Sequence, residues 1–258
     1  MKEKEIIYFA SDFHLGTDGA LTSEEREKKL VRFFDEISKD ANTIYLLGDI
    51  FDYWFEYNRV IPKGYVRILG KIAHLRDSGI KIEIFTGNHD IWMFRYFEDE
   101  FNIPVHKNPI RVTHNDKSFF LGHGDGLGPG DKKYKTIKKI FTNPVLQKMY
   151  GAIHPNIGLR IMRKLSKKSR EKTHMEELEF LGPDREWLVR FCETYIKNNT
   201  VDYFVFGHRH LPIDYLLSDQ KTRYINLGDW LTQYSYARFD GNELNLLFFE
   251  NEEGKIYP

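Results

Sequence analysis

Through the first third of the chain, apolar positions switch between the spacing of strands and the spacing of helices. The stretches "EIIYFAS" (5–11), "TIYLLG" (43–48) and "IKIEIF" (80–85) read as buried strands. Between the first two, Leu30, Phe33, Phe34 and Ile37 recur at helical spacing. Thr22 and Glu25 stand as a capping box before them, which predicts a helix over about 23–38. A second helix runs through Val66, Leu69, Ile72, Ala73 and Leu75 and ends near Gly79. This βαβαβ order predicts a largely parallel, covered sheet with right-handed crossovers.

After "SFFLGHG" (118–124) the pattern changes. Residues 131 to about 180 read as helical, interrupted by Pro144, Pro155 and Gly158. Pro183 marks the start of a further helix carrying Trp187, Leu188, Phe191 and Tyr195. "YFVFG" (203–207) returns to strand, and runs at about 212–217, 223–227, 234–239 and 244–249 close the chain as antiparallel-looking strands. The expected organisation is one domain over 1–258, with the helical segment 131–180 inserted into it.

Charge sharpens this division. Lys plus Arg and Asp plus Glu both total 38, so the chain is neutral. From Asp131 to Lys172, however, 13 basic residues face two acids. A segment of net charge +11 in a neutral protein points to an anionic partner such as a phosphate or an anionic membrane surface. The single cysteine, Cys192, excludes an intrachain disulfide and fits a reducing compartment. No apolar run approaches the ~18 residues of a membrane span, and the opening "MKEKEIIYFA" has no signal-peptide pattern. The expectation is a cytoplasmic protein that rests peripherally on a membrane.

Chemistry-bearing residues collect where strands end. Asp12 and His14 follow the first strand, Asp49 the second, and Asn88, His89 and Asp90 the third. His123 closes "SFFLGH", and His208 and His210 close "YFVFGHRH". Each piece alone is weak: "TGNHD" by itself is ordinary turn chemistry. Together they are strong, because the carboxyl ends of parallel strands converge on one edge of a sheet. Carboxylate, imidazole and amide oxygen suit Mn²⁺, Fe²⁺ or Zn²⁺. Two such ions ~3.5–4 Å apart clamp a phosphate and ionise water near neutral pH.

The series "DFH", "GDIFD", "GNHD", "GHGD" and "GHRH" resembles the calcineurin-like metallophosphoesterases, and the resemblance spans Asp12 to His210. It implies an α/β fold, a β-sandwich flanked by helices (αββα) with a helical lid insertion. It also implies that Asp12, His14 and His210 hold one metal, that Asn88, His123 and His208 hold the other, and that Asp49 bridges them. His89 would stabilise the transition state or protonate the leaving group, and Asp90 would orient His89 or its turn.

Three further stretches, "GDIFDYWFE", "HGDGLGPGDKKY" and "LGDW", resemble the UDP-2,3-diacylglucosamine pyrophosphatases of lipid A synthesis. These cut a lipid-linked nucleotide sugar to UMP and 2,3-diacylglucosamine 1-phosphate with Mn²⁺. The resemblance implies that Asp131, Tyr134, Ser169, Lys172 and Thr173 face substrate, together with Asn88, His89 and His208. The inserted helices would cover the acyl chains, with Ile137, Ile140, Phe141, Val145, Leu146, Met149, Ile157, Leu159, Ile161 and Met162 as wall or as packing. The chain departs from those enzymes in reading "GNHD" where they have G-N-R-D. The alternative is a nucleotide or cyclic-nucleotide phosphodiesterase of the same superfamily. No nucleic-acid partner is expected, since no coiled-coil extension is present. All seven ligand positions are filled, which disfavours a non-catalytic scaffold. The sequence does not set the oligomeric state.

Overall fold

The structure is a computed structural model that describes residues 5–129, 132–177, 180 and 182–258, with side chains described except at 132, 133 and 167–177. In chain order the elements are β1 (Ile7–Ala10), α1 (Ser23–Ile37), β2 (Thr43–Leu47), α2 (Val66–Asp77), β3 (Lys81–Phe85), α3 (Tyr96–Phe101) and β4 (Val105–His106). They continue with β5 (Ile110–His114), β6 (Lys117–Leu121), α4 (Lys132–Phe141), α5 (Pro144–Gly151), α6 (Pro155–Glu177) and α7 (Trp187–Ile196). The chain closes with β7 (Tyr203–Phe206), β8 (Pro212–Leu216), β9 (Arg223–Leu227), β10 (Ser235–Phe239) and β11 (Leu244–Phe248).

The strands form two sheets, one ordered β11-β10-β1-β2-β3-β4 and the other β5-β6-β7-β9-β8. Strands β1 to β4 run parallel, as do β6, β7 and β9. The four closing strands divide between the sheets: β8 pairs antiparallel with β9, whereas β10 pairs antiparallel with β1 and β11. The inner faces meet through Ile7, Phe9, Tyr45 and Leu47 on one side and Phe119, Leu121, Val205 and Ile225 on the other. Phe9 stacks on Phe119 across the gap at 5.8 Å. Helices α1 and α2 cover the outer face of the first sheet, and α7 covers that of the second. This is the expected sandwich flanked by helices. Each fully buried Leu or Phe contributes roughly 1.5–3 kcal/mol, so these apolar layers supply most of what holds the sandwich together.

Local expectations hold where the signal is local. The Thr22–Glu25 capping box is present at the start of α1, and Asn143 caps α5 just before Pro144. Three short elements, α3, β4 and β5, have no sequence pattern long enough to announce them. Strand β5 depends on its partner: Asn115 and Asp116 turn it back onto β6, both at positive φ, as a tight hairpin requires. Gly158 differs from expectation, because it lies inside α6 and does not interrupt it. A Cβ there would come within 3.0 Å of the Tyr150 hydroxyl, so the glycine lets the helix approach closely. Pro183 lies in a turn, and α7 starts four residues later at Trp187.

The loop after β1 is tied down from within the core. Arg26 of α1 is wholly buried. It donates to the carbonyls of Phe13 (2.8 Å), His14 (2.7 Å), Thr17 (2.5 Å) and Leu21 (3.2 Å). Arg26→Met keeps the stem but strands these acceptors. The expected loss is about 3 kcal/mol, or a Tm drop on the order of 10 °C by calorimetry. An unchanged Tm would mean that the loop holds its own shape.

Candidate metal centre

The carboxyl ends of β1, β2 and β3 in one sheet and of β6 and β7 in the other open onto the same rim. The turns that follow them are laced together. Asp12 N donates to Gly48 O (3.0 Å) and His14 N to Asp49 O (2.9 Å), while within the second sheet's end Gly207 N donates to His123 O (3.0 Å). His208 N donates to Asp12 Oδ2 at 3.1 Å. Asp12, His14, Asp49, His208 and His210 all adopt positive φ, between 45° and 70°. Such backbone is rare for residues other than glycine and clusters at functional sites. The glycines of "GD", "GN" and "GH" are required by close approach. A Cβ on Gly48 would sit 2.8 Å from His123 Nδ1, one on Gly87 2.6 Å from Asp49 N, and one on Gly207 2.5 Å from Ser11 Oγ.

The side chains converge as two groups that share one oxygen. In the first, His14 Nε2 faces His210 Nε2 at 3.2 Å, and His210 Nε2 lies 3.2 Å from Asp12 Oδ1. In the second, His123 Nε2 lies 3.2 Å from Asn88 Oδ1 and 3.3 Å from Asp49 Oδ2. The ring of His208 stands 5.2 Å from that of His123. Asp49 Oδ2 is also 3.7 Å from His14 Nε2, so the same atom looks into both groups. Its other oxygen, Oδ1, accepts from His89 N at 2.8 Å.

The far sides of the rings are held as well. His123 Nδ1 donates to Leu47 O at 2.8 Å, which leaves Nε2 as the inward lone pair. His210 Nδ1 has Asp229 Oδ2 at 3.5 Å, whereas Asp52 Oδ1, 3.7 Å from His14 Nδ1, lies beyond hydrogen-bond reach of that ring. Such outer partners fix the tautomer of a ligating imidazole.

Charge in this cluster is unbalanced without a cation. Burial opposes ionisation of Asp12 and Asp49, yet His123 and the neighbouring imidazoles hold both well below the usual carboxylate range. Burial also opposes a charge on His123, but Asp49 and Asp12 push it up to about 10. Burial holds His89 and His208 down to about 4. Two buried carboxylates, inward-facing imidazole nitrogens and an amide oxygen fit divalent cations of the Mn²⁺, Fe²⁺ or Zn²⁺ type.

The remaining expected residues divide. His89 reaches the rim, with Nδ1 donating to Asp52 O at 3.0 Å and its ring 4.8 Å from that of His14. Asp90, expected to orient His89 or its turn, accepts from four backbone N–H groups. These are Gly87 (2.7 Å), Ile50 (2.8 Å), Asp49 (3.3 Å) and Phe51 (3.3 Å), so Asp90 clamps the turns after β2 and β3. Tyr134 on α4 donates to the carboxylate of Asp125, and its ring lies 6.3 Å from that of His208. Asp131 lies outside the described residues. Ser169, Lys172 and Thr173 fall on α6, but their side chains are outside those described.

Sequence reasoning named no role for Asp52, Asp125, Ser166 or Asp229. Asp52, Asp125 and Asp229 stand in the quoted stretches "GDIFD", "HGD" and "LGDW", so a signal existed for them. Nothing in the sequence marks Ser166. Its Oγ lies 3.0 Å from Asp52 Oδ2 and 3.2 Å from His89 Nδ1, which ties α6 to the rim.

The apolar residues of α4–α6 also divide. Phe141, Leu159 and Met162 pack, with Tyr150, against Tyr53, Phe55 and Trp92. Ile137, Ile140, Val145, Leu146, Met149, Ile157 and Ile161 remain exposed. The aromatic run after Asp49 splits in the same way. Phe51 and Trp54 stack at 4.3 Å in the main core, whereas Tyr53 and Phe55 face the inserted helices.

The calcineurin-like phosphoesterase model matches residues 6–212. A UDP-2,3-diacylglucosamine hydrolase of Porphyromonas gingivalis (strain W83) is 39% identical over 96% of this chain and 98% of that relative. A UDP-2,3-diacylglucosamine hydrolase of Ectopseudomonas mendocina (strain ymp) is 29% identical over 95% of this chain and 98% of its own. Among solved structures, an archaeal phosphodiesterase aligns over 94% of this chain and 98% of that one, with a TM-score of 0.47 and 16% identity. The chain belongs to the calcineurin-like phosphoesterase family and is a metal-dependent hydrolase with a dinuclear divalent-metal site.

Proposed function

We propose that this chain hydrolyses UDP-2,3-diacylglucosamine, adding water across the pyrophosphate to give UMP and 2,3-diacylglucosamine 1-phosphate. The carrying observation is a likeness to an enzyme of that name that runs nearly the full length of both chains. It favours this substrate over a nucleotide or cyclic-nucleotide diester.

In this reading Asp12, His14 and His210 hold one Mn²⁺. Asn88, His123 and His208 would hold the other, with Asp49 placed to serve both. When bound, the pair supplies charge neutralisation at the phosphates and an acidified water. The chain's own residues do the rest. Asp90 keeps the turns that carry Asp49 and Asn88 in register. His89, with Nδ1 donating to Asp52 O, takes up a proton at Nε2 once substrate charge raises its affinity for one, and then donates to a phosphate oxygen. Tyr134 and Asp131, and on α6 Ser169, Lys172 and Thr173, are assigned to substrate contact.

Helices α4–α6 serve as the lid over the acyl chains. Their exposed Val145, Met149, Ile157 and Ile161, set among Lys and Arg, suit peripheral attachment to the anionic cytoplasmic face of the inner membrane. No helix among the described residues is long and apolar enough to cross a membrane.

Three outcomes are expected. Asp49→Ala removes the shared oxygen, so bound Mn²⁺ should fall below two ions per chain by elemental analysis, and turnover on the lipid substrate should be lost. Two retained ions would contradict the shared position. His89→Ala should keep its Mn²⁺ but lower kcat ~10²–10⁴-fold, the usual contribution of a positioned acid. A near-normal kcat would reduce His89 to a turn residue. Finally, His123 is held at about 10 in the metal-free chain, so near neutral pH an entering cation must displace its proton. Apparent Mn²⁺ affinity should therefore rise with pH, by about tenfold per unit for one displaced proton. Titration calorimetry in several buffers reads both the affinity and the released proton, and a flat profile with no proton release would refute the assignment of His123.

A further inference from the structure

A groove of about 1070 Å³ opens beside the metal centre on the His14 side. One wall is α6, which contributes Leu159 beside Arg160, Arg163 and Lys164, and the other is the loop from Gly16 to Ala20 with Leu231 and Thr232. Asp52 forms its inner end. That carboxylate lies 3.7 Å from His14 Nδ1 and 3.6 Å from His89 Nδ1, so the groove ends beside two rings that border the reacting centre. Its volume matches the upper end of small-molecule sites, roughly 300–1,000 Å³.

The lining discriminates between the two halves of the substrate. Arg160, Arg163 and Lys164 stand at i, i+3 and i+4, on one face of the helix. None of the three forms an ion pair among the described residues, so their charge faces the groove and solvent. Laying an acyl chain along them would strip water from charges without giving them a partner, which is costly. A phosphate gives them one, with guanidinium as the best-matched donor. The facing wall carries the hydroxyls of Thr17 and Thr232 and the carboxylate of Asp18, groups that hydrogen-bond sugar hydroxyls. This wall is preformed, since Arg26 grips the carbonyls of His14 and Thr17 from inside the core.

Resting on the substrate reading above, we propose that this groove seats the UMP half of the substrate. Arg160 and Arg163 take its phosphate, and the 17–18 loop and Thr232 take its ribose. The lipid half then leaves the metal centre in the other direction, toward Tyr134 and the apolar residues of α4 and α5. The groove thus sets the order of the two halves across the reacting pyrophosphate.

The test uses the full-length Mn²⁺-loaded chain and an Arg160→Gln/Arg163→Gln variant, both positions being exposed. Binding of UMP, and separately of 2,3-diacylglucosamine 1-phosphate in detergent micelles, is measured by calorimetry. The variant should lose UMP affinity on the order of tenfold to a hundredfold, as expected for charge-assisted hydrogen bonds. It should bind the lipid phosphate as the parent does and keep the parent's metal content. Unchanged UMP affinity, no UMP binding by the parent, or an equal loss for both ligands would overturn the proposal. Turnover of UDP-2,3-diacylglucosamine by the parent is recorded separately. Its absence would sink the substrate reading, while the UMP measurement would still decide whether the groove binds a nucleotide.

Discussion

Two carboxylates, Asp12 and Asp49, lie almost wholly out of water at the rim where the two sheets meet. A buried carboxylate is tolerated only when its charge is met. In this chain the nearest groups able to carry positive charge are imidazoles, which titrate and cannot serve as permanent counter-charges. His123 illustrates the consequence: burial works against its proton, yet the two carboxylates draw that proton in and hold it far above the ordinary range. A divalent cation satisfies both carboxylates without a proton and leaves the imidazoles neutral as ligands. The demand for that cation explains the strained backbone, the glycines and the outer partners around the rim.

The layout separates stability from chemistry. The apolar clusters on both sides of each sheet include none of the residues that face the metal centre. That surplus allows five site residues to remain at positive φ. Between core and rim stands a set of groups that carry no reaction themselves. Arg26 grips the loop after β1, Asp90 collects four N–H groups from the turns after β2 and β3, and Asn226 holds the carbonyl of Gly207. Asp229 reaches His210 from the crossing between the sheets, where Trp230 N also donates to Asp12 O at 3.0 Å. Each of these turns a mobile loop into a fixed ligand support.

Helices α4–α6 obey different rules. Part of their apolar surface is satisfied against Tyr53, Phe55 and Trp92, with Trp92 Nε1 donating to Phe141 O at 2.7 Å. The rest stays exposed beside a dense positive charge. An amphipathic segment anchored on one face and open on the other is suited to meeting something that is itself apolar and anionic. Ser166 and Gly158 are its attachment points, one through hydrogen bonds to the rim and one through the absence of a side chain.

The sequence by itself determined the strands and helices with a clear period, the capping box of α1, and the set of residues that meet at the rim. It could do so because side-chain periodicity is local, and because parallel strands bring their carboxyl ends together whatever the details of their packing. Only the tertiary structure decided how the closing strands divide between two sheets, since β9 and β10 read alike as sequence and differ in their partners. It also decided which four N–H groups Asp90 gathers, and that Asp49 Oδ2 is the atom common to both groups. The place of Ser166 beside His89, 77 residues away in the chain, was equally beyond the sequence. Each of these depends on which atoms two distant segments present to each other. That is set by the packing of whole layers, and spacing along one segment carries no record of it.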